Sequence, residues 1–174
     1  QVATIRDVTG DGKADILVAS RYDDNARGTD AGSVALLSGA DRSVICRMID
    51  PGGASSDYLG WSLAVLGDVT GDGTPDVIAA APYDDENGFS NSGSVSIFSG
   101  ANCAFVRKCS DPGSQASASL GYGSNGYGGA IAAMPDLDGD GRPEIVAGAA
   151  YMDRTLGNQG EVVVFSSATC AVLR

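Results

Sequence analysis

Three short segments hold most of the chemistry this chain can offer. In each, oxygen-bearing side chains recur at positions one, three, five and nine around an Asp-Gly step. The three sets are Asp7, Thr9, Asp11 and Asp15; Asp68, Thr70, Asp72 and Asp76; and Asp136, Asp138, Asp140 and Glu144. An all-oxygen donor set in a short loop suits a hard cation, and Ca2+ takes six to eight oxygens at roughly 2.3–2.6 Å. The seventh residue of each segment (Lys13, Thr74, Arg142) can add its backbone carbonyl. The glycine at position six (Gly12, Gly73, Gly141) lets the loop double back without a Cβ clash. A plain Asp-Gly turn needs only two of these residues, and does not account for three or four acids in one register three times over.

The expectation is therefore three Ca2+ ions, one per loop. Mg2+ is disfavoured because it demands near-ideal octahedral geometry. The arrangement resembles the first nine positions of an EF-hand loop, with strands in place of flanking helices. Carboxylates crowded into one loop repel one another, so the ion is expected to be structural and to stabilise the fold by mass action. Three ions would take the net charge from −11 to −5. The third loop, with Asp138 where the others carry Thr9 and Thr70, is expected to bind most tightly.

The elements that must position these loops repeat with them. Asp7, Asp68 and Asp136 lead the three loops, so the steps are 61 and 68 residues. Each loop runs into an apolar stretch (16–19, 77–80, 145–147), then a tyrosine that opens a polar loop (Tyr22, Tyr83, Tyr151). A Gly-led run follows (32–37, 93–98, 160–165). Stretches 44–48 and 105–109 read as fourth strands. Runs of four to six Val- and Ile-rich residues, bounded by Gly, Asp and Pro, are strand signals. Leu59-Gly60 and Tyr127-Gly128 precede the second and third loops, and the seven extra residues of the third unit fit an insertion around 120–126. The predicted units are 1–58, 59–119 and 120–174: all-β, four-stranded and in tandem, as β-propeller blades or an open stacked array. The first strand of the first unit and the fourth strand of the third are expected to be incomplete, completed by a longer polypeptide or by neighbouring copies.

These residues resemble the FG-GAP repeat of integrin α-subunit β-propellers, with the acidic loop as the most specific part. Leu59-Gly60 and Tyr127-Gly128 stand where that family has Phe-Gly, and Ala81-Pro82 where it has Gly-Ala-Pro. The resemblance implies cell-surface or matrix interaction and leaves the ligand open.

Composition narrows the remaining choices. A net charge of −11 argues against nucleic acid as partner. No apolar run approaches the ~18 residues of a membrane span. Four cysteines suggest an oxidising, extracellular setting. In the repeat frame Cys103 and Cys170 coincide at the turn before the fourth strand, while Cys46 and Cys109 lie on one face of that strand. The expected bonds are Cys46–Cys103 and Cys109–Cys170, each stepping from one unit to the next. Such bonds are expected to favour the open stack, because the outer strands of propeller blades splay apart. With no His, no Gly-x-Ser-x-Gly elbow and no Cys–His pair, the chain is expected not to be an enzyme. The acidic loops after Tyr22 and Tyr83 read as solvated, and Trp61 reads as core. The leading function is a secreted, calcium-clamped structural or adhesive repeat protein, with end-to-end assembly into a fibre as one form it can take. Its partner would be a protein or glycan on a surface, or further copies of itself. A carbohydrate-binding lectin, or a ligand-binding propeller fragment of a larger surface protein, is the alternative.

Overall fold

Each acidic loop is held between two antiparallel strands, and the third and fourth strands of the unit extend the same sheet. The computed structural model describes residues 1–123, 128–152 and 160–173. The first sheet runs β1 (Val2–Ile5), β2 (Asp15–Ser20), β3 (Ser33–Leu37) and β4 (Val44–Met48), in chain order. The second runs β5 (Ser62–Val65), β6 (Val77–Ala81), β7 (Ser94–Phe98) and β8 (Phe105–Cys109). The third comprises β9 (Ile131–Met134), β10 (Glu144–Ala149) and β11 (Glu161–Phe165), with an isolated bridge from Phe165 to Val172 where a fourth strand would start. All neighbouring strands pair antiparallel. Among the described residues no helix is long and apolar enough to cross a membrane.

Burial follows from the alternation of side chains along a strand. In β6, Val77, Ala79 and Ala81 join a core with Leu17, Val34, Leu36 and Met48 of the first unit. Ile78 and Ala80 point the other way, into a core with Ile145, Ala147, Val163 and Phe165 of the third. A strand covered on both faces needs a continuous apolar run, and β6 is buried at all five residues. The buried hydroxyls of β7 are paired: Ser94 donates to Asp84 (2.6 Å) and Ser96 to Asp50 (3.2 Å).

The first strands of successive units pack side by side, β1 against β5 and β5 against β9. This is the inner rim of a propeller-like fan. Cystines close the outer rim: the structure joins Cys46 to Cys103 and Cys109 to Cys170, with Cα atoms 6.1 and 5.0 Å apart. The expectation that such bonds favour an open stack is corrected. Each bond runs from a fourth strand to the turn that leads into the next unit's fourth strand, so the two outer strands need not approach one another.

The register of the third unit is also corrected. The structural counterpart of Leu59-Gly60 is Leu120-Gly121. Leu59 and Leu120 donate their N–H groups to Ala31 and Ser92, and Gly60 and Gly121 donate theirs to Ala80 and Gly148. Both leucines are buried. The extra residues therefore follow Tyr122. Tyr127, assigned to this role from the sequence, lies outside the described residues.

Candidate metal centre

In every loop the first carboxylate gathers backbone amides. Asp7 accepts from Gly10, Asp11 and Gly12 at 2.7, 3.2 and 2.6 Å. Asp68 accepts from Gly71, Asp72 and Gly73 at 2.6, 3.2 and 2.7 Å. Asp136 accepts from Gly139 and Gly141 at 2.7 and 2.8 Å. Converging N–H groups favour the charged form, and the Gly12 amide foremost holds the Asp7 carboxyl below its ordinary value. The fifth residue accepts from the seventh: Asp11 from Lys13, Asp72 from Thr74 and Asp140 from Arg142, each at 2.8 Å.

The ninth residue is the buried anchor. Asp15 takes the amides of Val8 and Thr9 on one oxygen and Gly39 on the other, tying the loop to the turn after β3. Asp76 repeats this with Val69, Thr70 and Gly100. Burial pushes the Asp76 carboxyl up, against the pull of those amides. Glu144 accepts from Leu137 (2.8 Å) and Asp138 (3.4 Å).

The loops differ at the third residue. The Thr9 hydroxyl bonds Asp7 (3.2 Å) and Asp11 (2.9 Å), placing a neutral group between two carboxylates. Thr70 sits near Asp68 (3.3 Å) and Asp76 (3.4 Å). In the third loop a fourth carboxylate stands there instead. Oxygens of Asp136, Asp138, Asp140 and Glu144 lie within 4.8 Å of one another, and among the described residues no other such acidic group forms. Four carboxylates at this spacing, on an oxygen-only loop, fit a hard cation such as Ca2+.

Two features escaped the sequence reading. The loops after Tyr22 and Tyr83 are not simply solvated. Asp84 is buried and lies 2.7 Å from Lys108, which also reaches Asp50 (2.9 Å) and Glu86 (3.0 Å). Asp24 and Asp85 close their loops by accepting the amides of Asp30 and Asn91. In the third copy, Asp153 and Arg154 lie outside the described residues. The second feature is a belt of six aromatic rings across the units: Tyr22, Tyr58, Trp61, Tyr83, Tyr122 and Tyr151, with neighbouring centroids 4.8–5.9 Å apart. Arg21 lies 4.1 Å over Trp61. Trp61, just before β5, is buried as the core reading expected, yet it belongs to this belt. The threefold tyrosine after each second strand was the available signal.

The FG-GAP repeat family model matches residues 1–37, 59–98 and 118–165. Curated relatives include integrin alpha-PS2 of Drosophila melanogaster, 33% identical over 177 residues and 96% of this chain. Integrin alpha-7 of Rattus norvegicus is 29% identical over 83% of the chain, and integrin alpha-5 of Xenopus laevis 33% identical over 66%. The chain spans only 12%, 12% and 10% of their lengths. Among solved structures, the Bacillus licheniformis rhamnogalacturonan lyase PL11 superimposes with a TM-score of 0.54 at 17% identity, covering 99% of this chain and 33% of that one. The exotype rhamnogalacturonan lyase YesX does so at 0.51 and 16%, covering 99% and 32%. The likeness is one of fold, and it corrects the expectation that a chain of this kind is not an enzyme. Lyases carry this fold, so lacking a His-based triad does not separate it from catalysts. Strand-and-loop scaffolds can build sites from other side chains brought together in space.

Proposed function

The chain belongs to the FG-GAP repeat family, and from that membership we propose that it is an extracellular adhesive or structural module whose acidic loops bind calcium. The carrying observation is the third loop, where four carboxylates from nine residues of chain crowd together at the mouth of a β-hairpin. The ligands would be Asp136, Asp138, Asp140, Glu144 and the carbonyl of Arg142. The first loop would use Asp7, Thr9, Asp11, Asp15 and the carbonyl of Lys13; the second Asp68, Thr70, Asp72, Asp76 and the carbonyl of Thr74. A bound ion would supply positive charge that offsets carboxylate repulsion and clamps the first two strands of its unit. The chain's own part is to hold each loop ready, through the amides gathered on positions one and nine. Integrin relatives and two cystines support an extracellular, surface-interacting role.

Thermal melting with and without chelator tests this reading. EDTA should lower the melting temperature, and calcium should restore it where equimolar magnesium does not. Superimposable melts in all three conditions would remove the structural role of the ion.

A further inference from the structure

The aromatic belt is interrupted once, and the interruption opens a cleft. Between the first and second units, Tyr58 fills the gap between Tyr22 and Tyr83, with ring centroids 5.6 and 5.3 Å away. One repeat later the same backbone position is Ser119. The two residues share a left-handed conformation, φ 57° and 53°. Their amides make equivalent bonds, Tyr58 to Asp30 and Ser119 to Asn91, and the preceding Ser56 and Ser117 do likewise to Thr29 and Ser90. The backbone thus repeats its φ and its hydrogen bonds, with a serine side chain in place of the ring. Tyr122 packs against both Tyr83 and Tyr151, with ring centroids 5.9 and 5.7 Å away. An open cleft of about 400 Å³ is lined by residues that include Tyr83, Asn91, Gln115, Ser117, Ser119 and Tyr151.

Its chemistry is specific. Two phenol rings supply flat apolar faces with polar tips. Carboxamides and hydroxyls among the lining residues supply donors and acceptors. Gln115 braces one wall by donating to the Tyr151 carbonyl (3.3 Å). Among the described residues, no charged side chain lines the cleft, and the chain as a whole carries −11, which repels anions. Its volume lies within the ~300–1,000 Å³ of small-ligand sites. A pyranose presents one face of C–H groups and an equatorial ring of hydroxyls, the complement of this lining. We propose that the Tyr83–Tyr151 cleft binds a neutral oligosaccharide, with Ser119 as the residue that keeps it open. This names a ligand for the adhesive module proposed above without resting on its calcium loops.

Trp61, the sole tryptophan, lies 5.7 Å from Tyr83 and 4.8 Å from Tyr122, so its fluorescence reports on the site. The full chain, in calcium-containing buffer, is titrated with cello-, xylo-, manno- and galactotetraose, with tetragalacturonate and tetramethylammonium as charged comparators. At least one neutral series should saturate at millimolar or lower concentration, and Ser119→Tyr should weaken it at least about tenfold. Because Tyr58 already occupies this backbone, Ser119→Tyr should leave the melting temperature unchanged. Tyr151→Ala, which removes one platform, should weaken binding as well and carries the test if Ser119→Tyr does not fold. The proposal is overturned if no neutral sugar saturates, if folded Ser119→Tyr or Tyr151→Ala binds like the parent, or if a charged comparator binds more tightly. Melting of the same samples with and without chelator reports separately on calcium.

Discussion

The ammonium of Lys108 on β8 lies 2.9 Å from the carboxylate of Asp50, which follows β4 of the preceding unit. Asp84 shares the same nitrogen at 2.7 Å, and both carboxylates are buried. Burial alone would lower the Lys108 pKa, but the hydrogen bonds of Asp50 and Asp84 outweigh it and hold the group charged well above its ordinary value. One cation thus bridges acids from two units at their seam.

Lys108→Met should therefore destabilise strongly. It leaves Asp50 and Asp84 buried without a counter-charge, a change that costs about 3–5 kcal/mol. Urea unfolding measures it, and a loss below about 1 kcal/mol would mean that the seam does not depend on this pair.

Asp57, on the same seam, makes stability depend on pH. Burial first, then the charges of Asp84 and Asp50, raise its pKa to about 6 against the pull of the Ala54 amide and Lys108. Its unfolded value is about 3.9, so between about pH 4 and 6 the native state binds more protons than the unfolded chain. Stability should fall as pH rises through that window, by on the order of 2 kcal/mol, and level off above it. Asp57→Asn should flatten the slope. Thermal melts from pH 4 to 7 read both outcomes.

The third residue of each acidic loop should set the relative affinity of the proposed calcium sites. Thr70→Asp puts a carboxylate where the second loop has a hydroxyl, and Asp138→Thr makes the opposite change in the third. Calcium titration should show the first tightening its site and the second loosening it. Equal weakening by both would show that loop strain, rather than charge, controls binding.

Gly93 should resist substitution. Its φ is +82°, and a Cβ there would meet the backbone nitrogen of Leu120. Gly93→Ala combines a left-handed conformation, costing roughly 1–2 kcal/mol, with a clash against backbone. A loss of more than about 2 kcal/mol by urea unfolding is expected. A neutral effect would mean that the Leu120-Gly121 segment can shift away.

The cystines should matter through the chain they close. Cys46–Cys103 and Cys109–Cys170 span 57 and 61 residues. Loop-closure entropy for such spans gives about 4 kcal/mol each as an upper figure. Replacing Cys46 and Cys103 together by Ser should lower the denaturation midpoint, while non-reducing peptide mapping still finds Cys109 joined to Cys170.

The strands and acidic loops were legible because their signals are local. Alternating or continuous apolar runs, an Asp-Gly step and a carboxylate at position nine specify a hairpin whatever surrounds it. The cystine partners were legible for a different reason, since a repeat turns positions in sequence into positions in space. That frame failed at the third unit. A fixed offset pairs Gly60 with Gly128, and only the hydrogen bonds of Gly121 to Gly148, and of Leu120 to Ser92, identify the residue that meets the neighbouring backbone.

What the sequence determined by itself was thus the unit: its strands, its turn and its candidate ligands, all set by residues near one another in the chain. Tertiary structure decided how units meet. Lys108 neutralises an aspartate 58 positions earlier because the fan closes β8 onto the preceding unit. The loop aspartate Asp84 is buried there rather than hydrated. Ser119 leaves a cleft because Tyr83 and Tyr151, 68 residues apart, stand on either side of a place that Tyr58 fills one unit earlier. Burial and pairing depend on distances between side chains, and those distances exist only once the sheets have packed.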